Sequence, residues 1–159
     1  GTAGEWHITY PSVDVWHHIL VTYSYSSTAN DPIFYVDGVV TSNTEDGAPT
    51  GTAVTETEAH GIGYYAPSNI KWWDGRLAEA AVWAAILTQA DATALAAGSS
   101  PLSIPTPVFY APLCGSQTPT PDFSTQMKNL TQSGSIVAVA HPSSAPVCSV
   151  NIFRSRGLQ

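Results

Sequence analysis

Two glutamates two residues apart are the first candidates for chemistry in this sequence. Glu56 and Glu58 alternate with threonines in a segment typical of a strand, so both carboxylates are expected on one strand face. A pair of carboxylates about 5–5.5 Å apart is the machinery of a retaining glycosidase. A solvated polar strand face is the alternative interpretation, and we expect it here.

Histidines are the next candidates. His17 and His18 are adjacent on a predicted strand, so they are expected to point to opposite faces and cannot chelate one ion together. His7, His60 and His141 lack the close spacing of a zinc site. The sequence contains no serine-hydrolase, phosphate-loop or dinucleotide motif. We therefore predict a protein without catalytic residues, metal ligands or cofactor.

Aromatic side chains form the best candidate for a ligand surface. Sugars stack their C–H faces on exposed rings, and Tyr and Trp add a polar group to that apolar area. We predict carbohydrate-binding residues at Tyr64, Tyr65 and Trp72. Exposed aromatic residues mark protein contacts equally well, so an interface between proteins is the alternative.

The charge distribution excludes some partners. Charged residues make up 11% of the 159 residues, against about a quarter in soluble domains. Residues 1–70 contain no Lys or Arg, since the first is Lys71. Nucleic-acid binding requires cationic side chains that replace phosphate counterions, so we expect none. No apolar run approaches the roughly 20 residues that span a bilayer, so we expect no membrane partner. An acidic surface is compatible with a neutral glycan, a cationic partner, Ca²⁺ or simple solubility.

The elements that must position these residues are mostly short strands. Thr, Ser, Gly, Pro and aromatic residues favour strands joined by turns. Asp37-Gly38 between two apolar runs predicts a hairpin, because Gly accepts a positive φ and Asp tolerates it. Val108–Ala111 is expected to be an exposed edge strand, since prolines surround it. Strands are predicted at residues 16–23, 33–36, 39–41, 52–58, 61–65, 73–83, 108–111, 136–140 and 147–153.

One short helix is predicted near residues 88–97. Thr88 is a good N-cap, Asp91 stands where a carboxylate favours the helix dipole, and Gly98 ends the helix. The expected apolar stripe consists of Leu87, Ala90, Ala94 and Leu95. With many strands and a single helix, the fold class is all-β, an antiparallel β-sandwich.

Three ordered blocks resemble a known family. Residues 16–23 (WHHILVTY), 34–39 (FYVDGV) and 73–83 (WDGRLAEAAVW) followed by Leu87-Thr88 resemble laminin-G-like jelly rolls of the concanavalin A-like lectin/glucanase family. The resemblance spans roughly residues 15–98 and implies a jelly-roll β-sandwich, with Trp73 at a core position. Glucanases of this fold resemble one another in an E-x-D-x-(x)-E strand. Residues 55–59 lack its central aspartate and aromatic flanks, which disfavours hydrolysis.

The sequence departs from the family before the WHH block. About 15 residues precede it, where the family has several strands, and missing strands would leave open sheet edges. The C-terminal strands, another chain, or an upstream segment of a longer protein could complete the sandwich. The family's Ca²⁺ sites draw on loops of that early half, so the resemblance does not imply a metal site.

The C-terminal part has a different character. We divide the chain into a sandwich at 1–99 and a proline-rich extension at 100–159, which either belongs to the same domain or is an arm between subunits. Cys114 and Cys148 could form a disulfide or remain free thiols. Residues 109–113 (FYAPL), 121–124 (PDFS) and 129–131 (NLT) resemble the ending of laminin-G-like proteins of bacteriophages and prophages.

Two functions follow from the resemblance. The first is a non-catalytic structural, decoration or tail component of a bacteriophage virion, with other virion subunits as partners and a homo-oligomeric state. The alternative is a carbohydrate-binding adhesion module of a phage or secreted bacterial protein, with cell-surface glycans as partners. Either function implies a location on the virion surface or outside the cell.

Overall fold

A computed structural model describes residues 1–9, 11–52, 62–63, 75–113 and 120–131. The strands and the helix of these residues are β1 (Glu5–His7), β2 (Ile19–Thr22), β3 (Ile33–Val36), β4 (Val39–Thr41), β5 (Thr44–Gly47), β6 (Ala80–Val82), α1 (Gln89–Ala96) and β7 (Phe109–Ala111). A short 3₁₀ turn, Pro101–Ser103, lies between α1 and β7. Every described strand pairing is antiparallel. The predicted all-β class with one short helix is confirmed.

The central sheet of the described chain has the order β2-β3-β4. Leu20 lies opposite Tyr35, and Tyr35 lies opposite Val40. Opposed residues of antiparallel strands project to the same face, so these three share one face. The strand β1 pairs with β5, and β6 pairs with β7, in two further two-stranded sheets.

The hairpin between β3 and β4 is built as the Asp-Gly dipeptide predicts. Asp37 has φ 51° and Gly38 has φ 78°, so both central residues are left-handed, as a two-residue type I′ turn requires. The predicted strands at 33–36 and 39–41 are confirmed with the same bounds.

The helix α1 begins as predicted. The Thr88 side chain accepts a hydrogen bond from the Asp91 N–H, and the Asp91 carboxylate accepts one from the Thr88 N–H at 2.7 Å. This reciprocal pair is a capping box, which satisfies two otherwise unpaired backbone donors. At the other end, Gly98 at φ 91° donates from its N–H to the Leu95 carbonyl at 2.9 Å.

The predicted apolar stripe of the helix is wrong at one position. Ala90 is exposed, whereas Ala92 is fully buried. Ala92 and Leu95 are three residues apart and therefore share a face, which Ala90 cannot share with them. The helix packs this face on the central sheet, and the buried cluster consists of Leu20, Tyr35, Leu87, Ala92 and Leu95, with Trp83 and Ile104 packed against it.

Two predicted strands are shorter in the structure. The strand expected at 16–23 forms only at Ile19–Thr22, and the one expected at 73–83 forms, among its described residues, only at Ala80–Val82. Glu79 has a φ of 56°, and a left-handed residue cannot continue a strand. The N–H and the carbonyl of His18 form hydrogen bonds with Asp37 in the hairpin turn, so His18 does not extend the pairing of β2 with β3.

The strand β7 is more buried than its prolines suggest. It pairs with β6 through Ala80 opposite Ala111 and Val82 opposite Phe109. Tyr110 and Ala111 are buried at 5% and 0% exposure, so the prediction of an exposed strand is wrong. The reason is the segment 120–131, which covers it: Phe123 N–H donates to the Tyr110 carbonyl at 2.7 Å.

Candidate functional site

A surface groove of about 530 Å³ lies beside the end of β2. It is lined by Thr22, Tyr23 and Ser24, by the loop that leads to β3, and by Ile33 and Ile86. The loop contributes Ser26, Ala29, Asn30 and Asp31. The lining therefore combines an aromatic ring, aliphatic side chains, hydroxyls, an amide and a carboxylate.

The loop that lines the groove is held in shape by its own side chains. The Asn30 side-chain amide donates to the Ser24 carbonyl at 2.8 Å and to the Ser26 hydroxyl at 3.1 Å. The Ser24 and Ser26 hydroxyls are 3.0 Å apart and share a hydrogen bond. Because Asn30 uses its amide donors within the loop, its side-chain carbonyl can accept hydrogen bonds from a ligand.

An aromatic pair stands next to the groove. The rings of Trp6 and Tyr23 lie with their centroids 5.8 Å apart at an interplanar angle of 49°. The Trp6 indole N–H donates to the Asp31 carboxylate at 3.2 Å. These two contacts tie β1 to the groove and orient both the ring of Tyr23 and the carboxylate of Asp31.

Exposure leaves this aromatic surface accessible. The Tyr23 side chain is 40% exposed, and Tyr25, which lies between two lining serines, is 79% exposed. Tyrosine supplies a flat apolar face and a hydroxyl at little entropic cost. Chemically, the groove can stack a planar or ring-shaped ligand and accept hydrogen bonds from its hydroxyls.

A second cluster joins the WHH segment to the hairpin turn. The Asp37 carboxylate accepts from the His18 N–H at 2.9 Å and pairs with Nδ1 of His17 at 2.7 Å. The Asp37 N–H in turn donates to the His18 carbonyl at 2.9 Å. Burial alone would raise the Asp37 pKa, but the bonds from His17 and His18 outweigh it and hold the pKa below the usual value. This cluster stabilises the fold rather than presenting a site.

The two histidines therefore differ in environment, although they do not lie on a strand as predicted. Both precede β2. Burial lowers the pKa of His18, and the negative charge of Asp37 only partly opposes that shift. The Nδ1 atom of His18 is buried and forms no hydrogen bond to the described residues.

The side-chain carboxylate of Asp122 also has a structural role. Asp122, buried at 7% exposure, accepts from the N–H groups of Tyr110, Ser124 and Lys128 at 2.7–2.9 Å. Burial alone would raise the pKa of Asp122, but these bonds lower it. The Tyr110 hydroxyl also donates a hydrogen bond to the Glu79 carboxylate at 2.6 Å. Burial, and to a smaller extent the Glu79 carboxylate, raises the pKa of the Tyr110 hydroxyl.

The residues predicted to bind carbohydrate are not placed by the structure. Tyr64, Tyr65 and Trp72 lie outside the described residues, as do Trp73, Glu56, Glu58, Cys114 and Cys148. Within the described ranges, no group of three or more His, Cys, Asp or Glu side chains could hold a metal ion. No described helix is long and apolar enough to cross a bilayer.

The groove was not predicted from the sequence. Residues 24–31 lie between the predicted strands at 16–23 and 33–36, and none of them is among the predicted binding residues, although serines and an asparagine next to tyrosines are a usable signal. The contact of Trp6 with Asp31 joins residues 25 positions apart, and no local pattern predicts it.

The antiparallel sheets and the single helix of the described residues are consistent with a β-sandwich domain. A family model described as the concanavalin A-like lectin/glucanases superfamily matches residues 5–93. The chain belongs to this laminin-G-type family, which confirms the resemblance predicted from roughly residues 15–98. Comparisons with curated proteins and with solved structures found no match.

Proposed function

We propose that this chain is a non-catalytic carbohydrate-binding module whose ligand lies in the groove beside β2. The observation that carries the proposal is the pairing of Trp6 and Tyr23 beside a loop of fixed shape. A ring for stacking and polar groups of fixed direction are the two things that a sugar-binding surface needs.

The size and shape of the groove support the proposal. Ligand pockets commonly measure about 300–1,000 Å³, and this groove has about 530 Å³. Asn30 and Asp31 offer acceptors, while Ser24 and Ser26 offer hydroxyls that both donate and accept. Sugar hydroxyls also donate and accept, so the groove matches their chemistry.

The engagement of the carboxylates supports a non-catalytic role. Asp37, Asp91 and Asp122 accept hydrogen bonds that hold a turn, a helix start and the C-terminal segment. Asp46 pairs with His7 at 2.5 Å between β5 and β1. These four carboxylates are held in structural contacts and are therefore poorly placed to protonate or attack a glycosidic bond.

Glycan-array binding with matched variants tests this function. Stacking against one aromatic ring contributes about 1–2 kcal/mol, so Tyr23→Ala is expected to weaken binding about tenfold or more. Tyr23→Phe keeps the ring and is expected to retain most binding. Phe123→Ala removes a ring that is 57% exposed and does not line the groove, and serves as the control.

The outcomes of this array are decisive. Binding that is lost in Tyr23→Ala and kept in Phe123→Ala supports the groove. Binding that is unaffected by Tyr23→Ala but lost in Trp72→Ala moves the site to the aromatic residues predicted from sequence. No binding across the array rejects carbohydrate recognition, and release of reducing sugar from any bound glycan rejects the non-catalytic role.

A second candidate is the assembly subunit predicted from sequence, a structural component of a bacteriophage virion. The observation that favours an assembly is the apolar outer face of the central sheet. Ile19, Val21 and Val39 share this face and are exposed at 47%, 47% and 66%. Exposed apolar patches of this kind mark protein interfaces.

Light scattering at increasing protein concentration tests this assembly role. We expect the apparent mass to rise above that of one chain, and Val21→Thr together with Val39→Thr to lower it. Both substitutions keep β-branched side chains and therefore preserve strand propensity. A mass of one chain at every concentration would reject self-assembly.

A further inference from the structure

Negative charge is concentrated in the part of the chain that builds the groove. All the basic residues lie at position 71 or later, whereas eight of the 12 acidic residues lie before it. All but one of the described groove-lining residues, Ile86, belong to that first part. No Lys or Arg is among these described lining residues.

Asp31 supplies the charged group among the described residues that line the groove. It is exposed, and the Trp6 indole N–H orients it at 3.2 Å. Trp6 in turn lies opposite Glu45 in the pairing of β1 with β5, and Asp46 follows on the same strand. A ligand in the groove thus faces one oriented carboxylate, with further negative charge on the adjoining two-stranded sheet.

From this arrangement we infer that the groove selects glycans without acidic groups and rejects uronic, sialic and sulfated sugars, with Asp31 as the specificity-determining residue. This inference rests on the proposed function. A sugar hydroxyl or a protonated amino group can donate to Asp31, and the carboxylate can pair with it. A sugar carboxylate or sulfate meets no Lys or Arg among the described lining residues and is repelled by Asp31.

Electrostatic magnitudes make this selectivity measurable. Two like charges about 4 Å apart repel by about 1 kcal/mol in water and by more near a protein surface. Specificity commonly arises from such a repulsive element as well as from attractive contacts. We therefore expect at least about a fivefold preference for a neutral glycan over its acidic counterpart.

Calorimetry on a matched ligand pair tests the inference. The glycan that binds best on the array is compared with the same glycan oxidised to carry a uronic acid, for wild type, Asp31→Asn and Asp14→Asn. Asp31→Asn keeps an oxygen that can accept from Trp6 but removes the charge. Asp14→Asn removes the same charge at an exposed left-handed residue away from the groove lining, where Asn is well tolerated.

We expect wild type to prefer the neutral glycan over its acidic counterpart. Asp31→Asn should reduce this preference about threefold or more, and Asp14→Asn should leave it unchanged. The preference of the wild type should also shrink when NaCl is raised from 0.05 to 0.5 M, because salt screens exposed charges. Array binding dominated by acidic glycans would overturn the inference while leaving carbohydrate binding intact. An equal preference in wild type and Asp31→Asn would remove Asp31 as its determinant. Absence of any glycan binding would reject the proposed function itself.

Discussion

The aspartate of the YVDG segment has two roles in one residue. Its left-handed backbone, with φ 51°, turns β3 into β4. Its carboxylate also holds the segment before β2 in place, through hydrogen bonds with the His18 N–H and the His17 ring. A short polar residue that tolerates positive φ and accepts two hydrogen bonds is required here, and Asp satisfies both conditions.

Replacing this residue separates the two roles. Asp37→Ala removes both hydrogen bonds and adds backbone strain, so we expect unfolding free energy to fall by about 2–3 kcal/mol. Asp37→Asn retains one acceptor and tolerates the left-handed region, so the expected loss is about 1 kcal/mol. Urea denaturation measures both values, and equal losses in the two variants would contradict this account.

At the scale of elements, the hairpin turn and the helix approach each other closely. Gly38 has φ 78°, and a Cβ on it would lie 2.9 Å from Thr93 Cα and 3.2 Å from Ala96 Cβ. The side chains of Gln89 and Thr93 also donate hydrogen bonds to the Gly38 carbonyl. The hairpin therefore supports α1 directly, and the turn must lack a side chain for both steric and conformational reasons.

We expect Gly38→Ala to lower the unfolding free energy by about 2–4 kcal/mol, because strain and the clash with the helix backbone add. Gly47→Ala is the matched control, since a Cβ there would meet, among the described residues, only Glu5 Cβ at 3.9 Å. Its expected change is below about 1 kcal/mol. Thermal and urea unfolding compare the two variants, and a loss in Gly38→Ala no larger than in Gly47→Ala would argue against close helix packing.

Local chemistry explains which elements could be predicted. The hairpin and the helix caps depend on neighbouring residues, Asp37 with Gly38 and Thr88 with Asp91, so their sequence signals were sufficient. The burial of Tyr110 could not be predicted, because it depends on Asp122 and Phe123 folding back over β7. The groove was missed for the same reason, since Trp6 reaches Asp31 across a long stretch of chain.

At the scale of the whole molecule, the described residues just beyond position 99 pack with those before it. The strand β7 is the described partner of β6, and the Glu79 N–H donates to the Pro112 carbonyl at 3.1 Å. Asp122 then joins the segment 120–131 to β7. In the described part of the chain, the first stretch of the extension is thus continuous with the sandwich through backbone bonds and one buried carboxylate.

Low pH should loosen the molecule through its structural carboxylates. The pKa of Asp91 is lowered by its bonds with Thr88, and those of Asp37 and Asp122 are lowered by hydrogen bonds that outweigh burial. Each folded pKa lies below the value of about 3.9 in an unfolded chain, so the unfolded state takes up protons first. The stabilisation is therefore complete above about pH 4 and is lost as the pH falls through the folded values.

Asp122→Asn isolates the largest of these carboxylate clusters. We expect it to lower the unfolding free energy by about 1–3 kcal/mol at pH 7, because an amide accepts fewer hydrogen bonds than a carboxylate. The variant should also lose less stability than wild type between pH 5 and pH 2, since one linked proton is gone. Asp14→Asn is the control, because Asp14 is exposed and has a left-handed backbone conformation that Asn also tolerates. Urea midpoints measured across this pH range test the prediction. Parallel curves of midpoint against pH for wild type and Asp122→Asn would mean that Asp122, which joins the segment 120–131 to β7, does not contribute to the acid sensitivity.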